Sequence, residues 1–334
     1  MAAIPGKDDI SSAITLQSLG EFAVIERLKD IASMGSRELP SPEPTLGSGD
    51  DSAIVTFDNT SIAMSVDMFV QDRHFRTDWS TGVDIGRRCA AASMSDICAM
   101  GIKPSTLLVG IAAPPETTMT WMKEMFSGLV EEAAIAGARV VGGDLSSANS
   151  IMISITALGH APKKGAITRS GARVGDVVAV HGELGRAAAG LRVLQRGLRS
   201  PRSLVDSYRF PKVDYAAGVL AREAGAHAMI DVSDGLVADL RHIAGASEVT
   251  INIESNLLFV PDDLISAASA FGLDPLTWVL EGGDDHALLA TFPVDAKLPS
   301  GFTAIGMVQN KGEDYVTVDQ VAHPSQGGYS HFHN

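Results

Sequence analysis

Apolar runs and glycine turns meet aspartate repeatedly along this chain: in GDDSA at 49–53, in SVD ending at Asp67, in GGD ending at Asp144, in DVSDGL from Asp231 and in GGDD ending at Asp285. Between these corners, short apolar runs alternate with longer segments of helical spacing. Residues 53–57 and 62–66 have strand composition around the turn residues Asp58 and Asn59, which predicts a hairpin. A helix is expected over 84–100, stopped by Gly101 and Pro104, and a second over 121–136, stopped by Gly137. Strands are expected at 106–112, at 139–141 before a GGD turn, and at 151–158. Such alternation predicts an α/β fold. Aspartate and glycine are ordinary turn residues at any single corner. At this many corners, carboxylates following strands can converge in one crevice. Clustered carboxylates hold protons unless a cation joins them, and hard oxygen donors select Mg²⁺ or a similar ion. A site for several metal ions is the expectation.

At 334 residues, 45% of them hydrophobic, the chain exceeds the size at which a single core stops growing, so two domains are expected. The segment HAPKKGAITRSGARVGD at 160–176, rich in glycine and basic residues, marks the boundary. The predicted division is a flexible tail at 1–19, a first domain at 20–160 that opens with a helix over 21–29, and a second domain at 161–334. The second domain is expected to hold strands at 176–180, entering Asp231, and at 250–253, 288–292 and 303–308. Helices are expected near 186–195 and 213–224.

Asp plus Glu number 40 against 26 Lys plus Arg, and a net charge of -14 repels nucleic acid and anionic lipid. No run of apolar residues is long enough to span a bilayer, and the first residues lack a basic segment followed by an apolar one. A soluble, cytoplasmic protein with neither nucleic-acid nor membrane partners is expected. Cys89 and Cys98, the only cysteines, lack CxxC spacing and read as buried thiols of one helix.

Asp96 continues the stripe of Ile85, Cys89 and Ala92, so its carboxylate falls on an otherwise apolar helix face. It also lies in the last turns, where the helix dipole disfavours an anion by roughly 0.3–1 kcal/mol. A nearby cation resolves both conflicts. Neither GxxxxGK[ST] nor a GxGxxG following a strand occurs. Bound phosphates would therefore be met by carboxylate-held cations, with a few arginines and turn amides. Arg169 and the pair Arg73 and His74 are candidates for phosphate contact. Composition alone leaves Arg169 open to a surface salt bridge and His74 to an ordinary surface role.

The ordered set GDDSA, SVDMFVQDRHF, MSDICAMG, GGD, TRSG, DVSDGL, GGDDHALL and GYSHF resembles the thiamine-monophosphate kinases over about residues 20–334. These form a branch of the superfamily that includes aminoimidazole ribonucleotide synthetase. The resemblance implies a two-domain fold, with an N-terminal domain pairing through its sheet in a homodimer and a C-terminal α/β domain over the cleft. It implies ATP, several Mg²⁺ ions and thiamine monophosphate as ligands. Position by position, it implies metal ligation by Asp51, Ser65, Asp67, Asp96, Asp144, Asp231 and Asp234. Nucleotide contact is implied for Gly143, Asp144, Arg169 and Ser233, and contact with thiamine phosphate for His74, Asp284 and Tyr329.

Three departures stand out. Val66 occupies the middle of the family's STD, removing a hydroxyl ligand. Asp284 is one methylene shorter than the Glu of GGED, and Tyr329 stands where Trp or Phe is usual. The acceptor phosphate is already ionised near neutral pH, so no catalytic base is assigned. Competing readings are another ATP-using member of the superfamily, such as an aminoimidazole ribonucleotide synthetase-like enzyme, or a non-catalytic nucleotide and Mg²⁺ sensor. Selenophosphate synthetase and hydrogenase maturation protein would each need a cysteine that this chain lacks.

Overall fold

Residues 53–57 and 60–70 pair antiparallel, with Ala53 opposite Met64 and Phe57 opposite Thr60. The expected hairpin forms, but its second strand runs four residues past Val66, which puts Asp67 inside a strand. The computed structural model describes residues 44–46, 50–57, 60–163 and 165–323. All fall within one compact unit, Pro42–Gly328. The expected tail at 1–19, the helix at 21–29 and Tyr329 lie outside the described residues.

The first sheet contains β1 (Pro44–Leu46), β2 (Ala53–Phe57), β3 (Thr60–Val70), β4 (Pro104–Ala113), β5 (Arg139–Ser147) and β6 (Met152–Ala161), in the order β1-β2-β3-β6-β4-β5. Neighbours are antiparallel except β4 and β5. β5 does not turn at GGD as expected but continues through it, paired with β4. An added Cβ on Gly143 would lie 1.9 Å from the Val109 carbonyl oxygen, so only glycine fits where these strands approach.

Two helices, α1 (Gly82–Ala99) and α2 (Met119–Ala136), pack against each other. Thr81 and Asp84 start α1 with a capping box. The Thr81 N–H donates to Asp84 Oδ2 at 2.9 Å, and the Asp84 N–H donates to Thr81 Oγ1 at 3.2 Å. The helices approach backbone to backbone: a Cβ on Gly86 would sit 1.9 Å from the Met125 oxygen, and one on Gly128 would sit 2.1 Å from the Val83 oxygen. Ile85, Cys89 and Ala92 then meet Leu107, Val109, Ile153 and Ile155 in the first core. The opposite face of the sheet leaves large apolar side chains bare: Val66 is 64% exposed, Met68 55% and Leu108 43%.

The second sheet contains β7 (Val177–His181), β8 (Ala228–Asp231), β9 (Thr250–Ile253), β10 (Leu288–Phe292), β11 (Phe302–Gln309), β12 (Val316–Val318) and β13 (Val321–Ala322), in the order β13-β12-β9-β11-β7-β10-β8. Its helices are α3 (Arg186–Gln195), α4 (Arg202–Arg209), α5 (Ala217–Glu223), α6 (Leu236–Ser247), α7 (Asp262–Phe271) and α8 (Pro275–Glu281). A separate core gathers Val178, Ile230, Leu240, Ile251 and Val279. The helix expected over 213–224 is confined to α5. Asp214 Oδ1 takes the Ala216 N–H at 3.0 Å, and the Tyr215 hydroxyl donates to Glu132 Oε1 on α2 at 2.7 Å, which holds 213–216 in a turn. Backbone bonds from Ile167 to Met100 and from Met229 to Thr168 join α1, the linking segment and β8. They bring the C-terminal turns of α1 alongside the end of β8.

Candidate metal centre

Three carboxylates meet where α1 and β8 come together. Asp51 precedes β2, Asp96 lies in the last turns of α1 and Asp231 is the last residue of β8. Each offers one oxygen within 4.8 Å of the others. Ser65, on the core-facing side of β3, donates its hydroxyl to Asp96 Oδ2 at 2.5 Å. Asp67, two residues on, shares that face and interacts electrostatically with Asp96 and Asp231. The convergence anticipated for separate acidic corners therefore occurs for Asp51, Asp67, Asp96 and Asp231.

Burial pushes the Asp51 carboxyl up to about 7, against the pull of Arg169. Burial, with Asp67, Asp231 and Asp51 alongside, raises Asp96 well above the usual carboxylate range. Asp67 is also raised, again by burial first, with the Ser93 hydroxyl and His286 opposing. Burial alone would raise Asp231 too, but a hydrogen bond from His286 and its charge, helped by Ser95 and Arg169, hold it below the ordinary value. Asp51 Oδ2 is buried without a hydrogen-bond partner, while Oδ1 takes a 2.6 Å hydrogen bond from Arg169. An orphaned carboxylate oxygen beside two raised carboxyls fits a divalent cation with oxygen ligands.

Arg169 is held by Asp51 and by its own backbone N–H, which donates to Asp50 Oδ2 at 3.0 Å. The salt bridge that composition left open exists, and its partner is a candidate metal ligand. Asp234 belongs to an adjoining group with Asp239 and His242, whose ligand atoms also lie within 4.8 Å of one another. Asp239 Oδ2 accepts the N–H groups of Asp234 and Gly235 at 3.1 and 2.9 Å, closing the turn into α6.

The remaining candidates stand apart from the carboxylate cluster. Gly143 is in register with Val109, Val109 with Ile155, and Ile155 with Asp67, so β4 and β6 separate it from Asp67. At ~4.8 Å per strand, that row spans roughly 14 Å. Asp144 is exposed on β5, where Ser146 Oγ donates to its Oδ2 at 3.3 Å. Both residues line an open cleft of about 1260 Å³ between β5 and α2, together with Phe126, Val130 and Val140. His74 accepts the Val70 N–H on Nδ1 at 2.9 Å, which assigns the proton of the neutral ring to Nε2. Ser233 is exposed, and its carbonyl takes the Asp284 N–H at 2.8 Å.

Asp284 is paired at 2.9 Å with Arg88, a nearly fully buried guanidinium that also donates to the Tyr208 carbonyl and stacks over the Tyr208 ring. Asp285 Oδ2 and Oδ1 accept the N–H groups of Gly185 and Ala187 at 2.5 and 2.8 Å, capping the start of α3. Sequence reasoning did not single out Arg88, Ser95, Asp239, His242 or His286. Ser95 and His286 lie within the quoted segments MSDICAMG and GGDDHALL, but only the fold brings them to Asp231.

The chain matches the family model described as AIR synthase related protein, N-terminal domain, over residues 49–161, and the corresponding C-terminal domain over residues 173–288. It is 44% identical over 319 residues to the thiamine-monophosphate kinase of Mycobacterium tuberculosis (strain ATCC 25618 / H37Rv), covering 95% of this chain and 93% of that one. The chain belongs to the thiamine-monophosphate kinase family. A member from Bacillus subtilis (strain 168) is 33% identical, covering 90% of this chain and 98% of its own. Among solved structures, AaThiL complexed with AMPPCP and TMP superimposes with a TM-score of 0.86 at 29% identity, covering 96% of this chain and 100% of the other. Thiamine monophosphate kinase from Aquifex aeolicus superimposes with a TM-score of 0.81 at 26% identity, covering 93% and 100%. The matched structures thus share this two-sheet architecture.

Proposed function

We propose that this protein transfers the γ-phosphoryl group of ATP to the phosphate of thiamine monophosphate, giving thiamine diphosphate and ADP. The observation that carries the reading is the buried cluster of Asp51, Asp96 and Asp231, with the unpartnered Asp51 Oδ2, in a chain whose relatives are thiamine-monophosphate kinases. One of the matched structures binds an ATP analogue and TMP.

Asp51, Asp67, Asp96 and Asp231 would hold Mg²⁺, with Ser65, Asp144 and Asp234 as further ligands. When bound, the cations neutralise phosphate oxygens and stabilise the charge that spreads over the transferring group. Arg169 exchanges its grip on Asp51 for a phosphate oxygen, a planar fork suited to either partner. Gly143 and Asp144, in the cleft lined also by Phe126 and Val140, offer contacts to the nucleotide. Ser233 offers a further nucleotide contact. His74, Asp284 and Tyr329 face the acceptor, whose ionised phosphate oxygen attacks in line without a general base.

The bare outer face of the first sheet, with Val66, Met68 and Leu108, suits pairing with a second copy of the chain. For the proposed domains at 20–160 and 161–334, the support is the break between the end of β6 at Ala161 and the start of β7 at Val177. No described helix is long and apolar enough to cross a membrane.

The test is incubation of purified protein with ATP, Mg²⁺ and thiamine monophosphate, following both products. Thiamine diphosphate and ADP are expected in equal amounts, with no product in excess chelator. ATP bound without thiamine diphosphate formed would favour the sensor reading or another superfamily substrate. Asp67→Asn should lower kcat by ~100-fold or more, because loss of one carboxylate from a shared cation site removes several kcal/mol of transition-state stabilisation. Full turnover by that variant at limiting Mg²⁺ would refute the cluster mechanism.

A further inference from the structure

Two donors from distant parts of the chain converge on one oxygen of Asp231. Ser95 Oγ, on α1, lies 2.6 Å from Asp231 Oδ2, and His286 Nδ1, after the GGDD segment, lies 2.9 Å from the same atom. Ser95 and His286 are 3.0 Å apart, and all three residues are buried. The Ala92 carbonyl, 2.7 Å from Ser95 Oγ, competes for the single hydroxyl proton. His286 Nδ1–H faces two acceptors, Asp231 Oδ2 and Ser95 Oγ, so the three side chains form one buried hydrogen-bonded group.

The backbone around His286 is held from both sides. The His286 N–H donates to the Val232 carbonyl at 2.9 Å, and the Val232 N–H donates to the Ala287 carbonyl at 2.8 Å, which fastens the loop to the residue after Asp231. On the other side, Asp285 is anchored to the first N–H groups of α3. The backbone at His286 takes φ of +51°, a conformation that histidine reaches only under such constraint.

We propose that His286 and Ser95 are positioning residues: they fix Asp231 by Oδ2 so that its other oxygen is presented, already oriented, to a divalent cation shared with Asp51 and Asp96. The inference rests on the reading of that cluster as a cation site. Partners of this kind set ligand orientation, and losing one typically weakens metal binding ~10–100-fold.

The experiment is Mn²⁺ binding to the nucleotide-free protein, read by electron paramagnetic resonance of the unbound ion, for the wild type and for Ser95→Ala, His286→Ala and His286→Asn. Folding is checked by circular dichroism and thermal midpoint. The wild type should bind Mn²⁺, and Ser95→Ala and His286→Ala should bind it at least ~10-fold more weakly. His286→Asn should recover most of the affinity, because an asparagine amide N–H reaches where Nδ1–H does and asparagine tolerates positive φ. A merely structural role would lower the thermal midpoint and leave Mn²⁺ affinity unchanged, with no difference between the alanine and asparagine variants. Folded Ser95→Ala and His286→Ala proteins binding Mn²⁺ as the wild type does would overturn the positioning role while leaving the cation site in place. A wild type that binds no Mn²⁺ would overturn the cation site itself, and the positioning role with it.

Discussion

Asp284 carries one methylene fewer than the glutamate its family uses, yet its carboxylate has a fixed position because Arg88 grips it from below. Arg88 cannot swing away: it is buried, stacked on Tyr208 and bonded to the Tyr208 carbonyl. Asp284 in turn keeps a side chain 47% exposed, available to a ligand above it. Arg88→Met, which keeps the aliphatic volume and removes the fork, should free that carboxylate. A charge-assisted hydrogen bond is worth ~1.5–3 kcal/mol, so KM for thiamine monophosphate should rise roughly tenfold or more, with KM for ATP within about twofold. Steady-state kinetics with each substrate varied decides it. Equal rises in both KM values would mean that Arg88 serves the fold rather than the acceptor site. Asp284 was legible in the chain as part of a motif, whereas Arg88 was not, since an arginine in a helix declares nothing until its partner is known.

Among elements, α1 carries the most: it supplies Asp96 and Ser95 to the cluster, Arg88 to Asp284, and an apolar face to the first core. Its distance from α2 is set by Gly86 and Gly128, so Gly86→Ala should force the helices apart. Overpacking of this kind costs at least ~1–3 kcal/mol, and the thermal midpoint should fall by several degrees. Gly110→Ala is the control, because an added Cβ there meets nothing closer than 3.7 Å and should leave the midpoint nearly unchanged. A Gly86→Ala protein as stable as the wild type would mean the crossing has slack that the backbone distances deny. The span of α1 and the Asp96 stripe could be read from the chain, because capping, stop signals and 3.6-residue spacing are local. The passage of β5 through GGD could not, since glycine there serves close contact with β4 rather than a turn. Helices α4, α6, α7 and α8 are not among the sequence expectations, and 213–216 departs from the expected helix because the Tyr215 hydroxyl is drawn to Glu132, far away in sequence. The carboxylates at the cluster were visible as acidic corners, but their separation from Asp144 depends on strand order, which the local pattern does not encode.

For the molecule as a whole, the net charge of -14 and the buried carboxylates make stability, pH and cation one linked problem. Asp51 and Asp285 are pushed up by burial to about 7, and burial raises Asp96 and Asp239 well above the ordinary 3.8. A carboxyl raised in the fold binds its proton more tightly there than in the unfolded chain. Its contribution is therefore most favourable at low pH and is lost as pH climbs through the folded value. His286, raised by Asp231 against the effect of burial, has the same sign. His242, lowered by burial to about 4, has the opposite sign, but its effect is complete once pH passes the ordinary imidazole value of 6.5. Between about pH 6.5 and 8.5, the metal-free protein should therefore lose thermal stability. Added Mg²⁺ should reduce that loss, because a cation at the cluster takes the place of the protons on Asp51 and Asp96, and it binds more tightly as they leave. At about 100 times its dissociation constant, such a ligand contributes roughly 2.7 kcal/mol. Melting curves in chelator and in excess Mg²⁺ across this range should diverge as pH rises. Parallel curves would remove the link between the cluster and the cation, and a midpoint in chelator that climbs with pH would mean that the buried carboxyls do not hold protons in the fold.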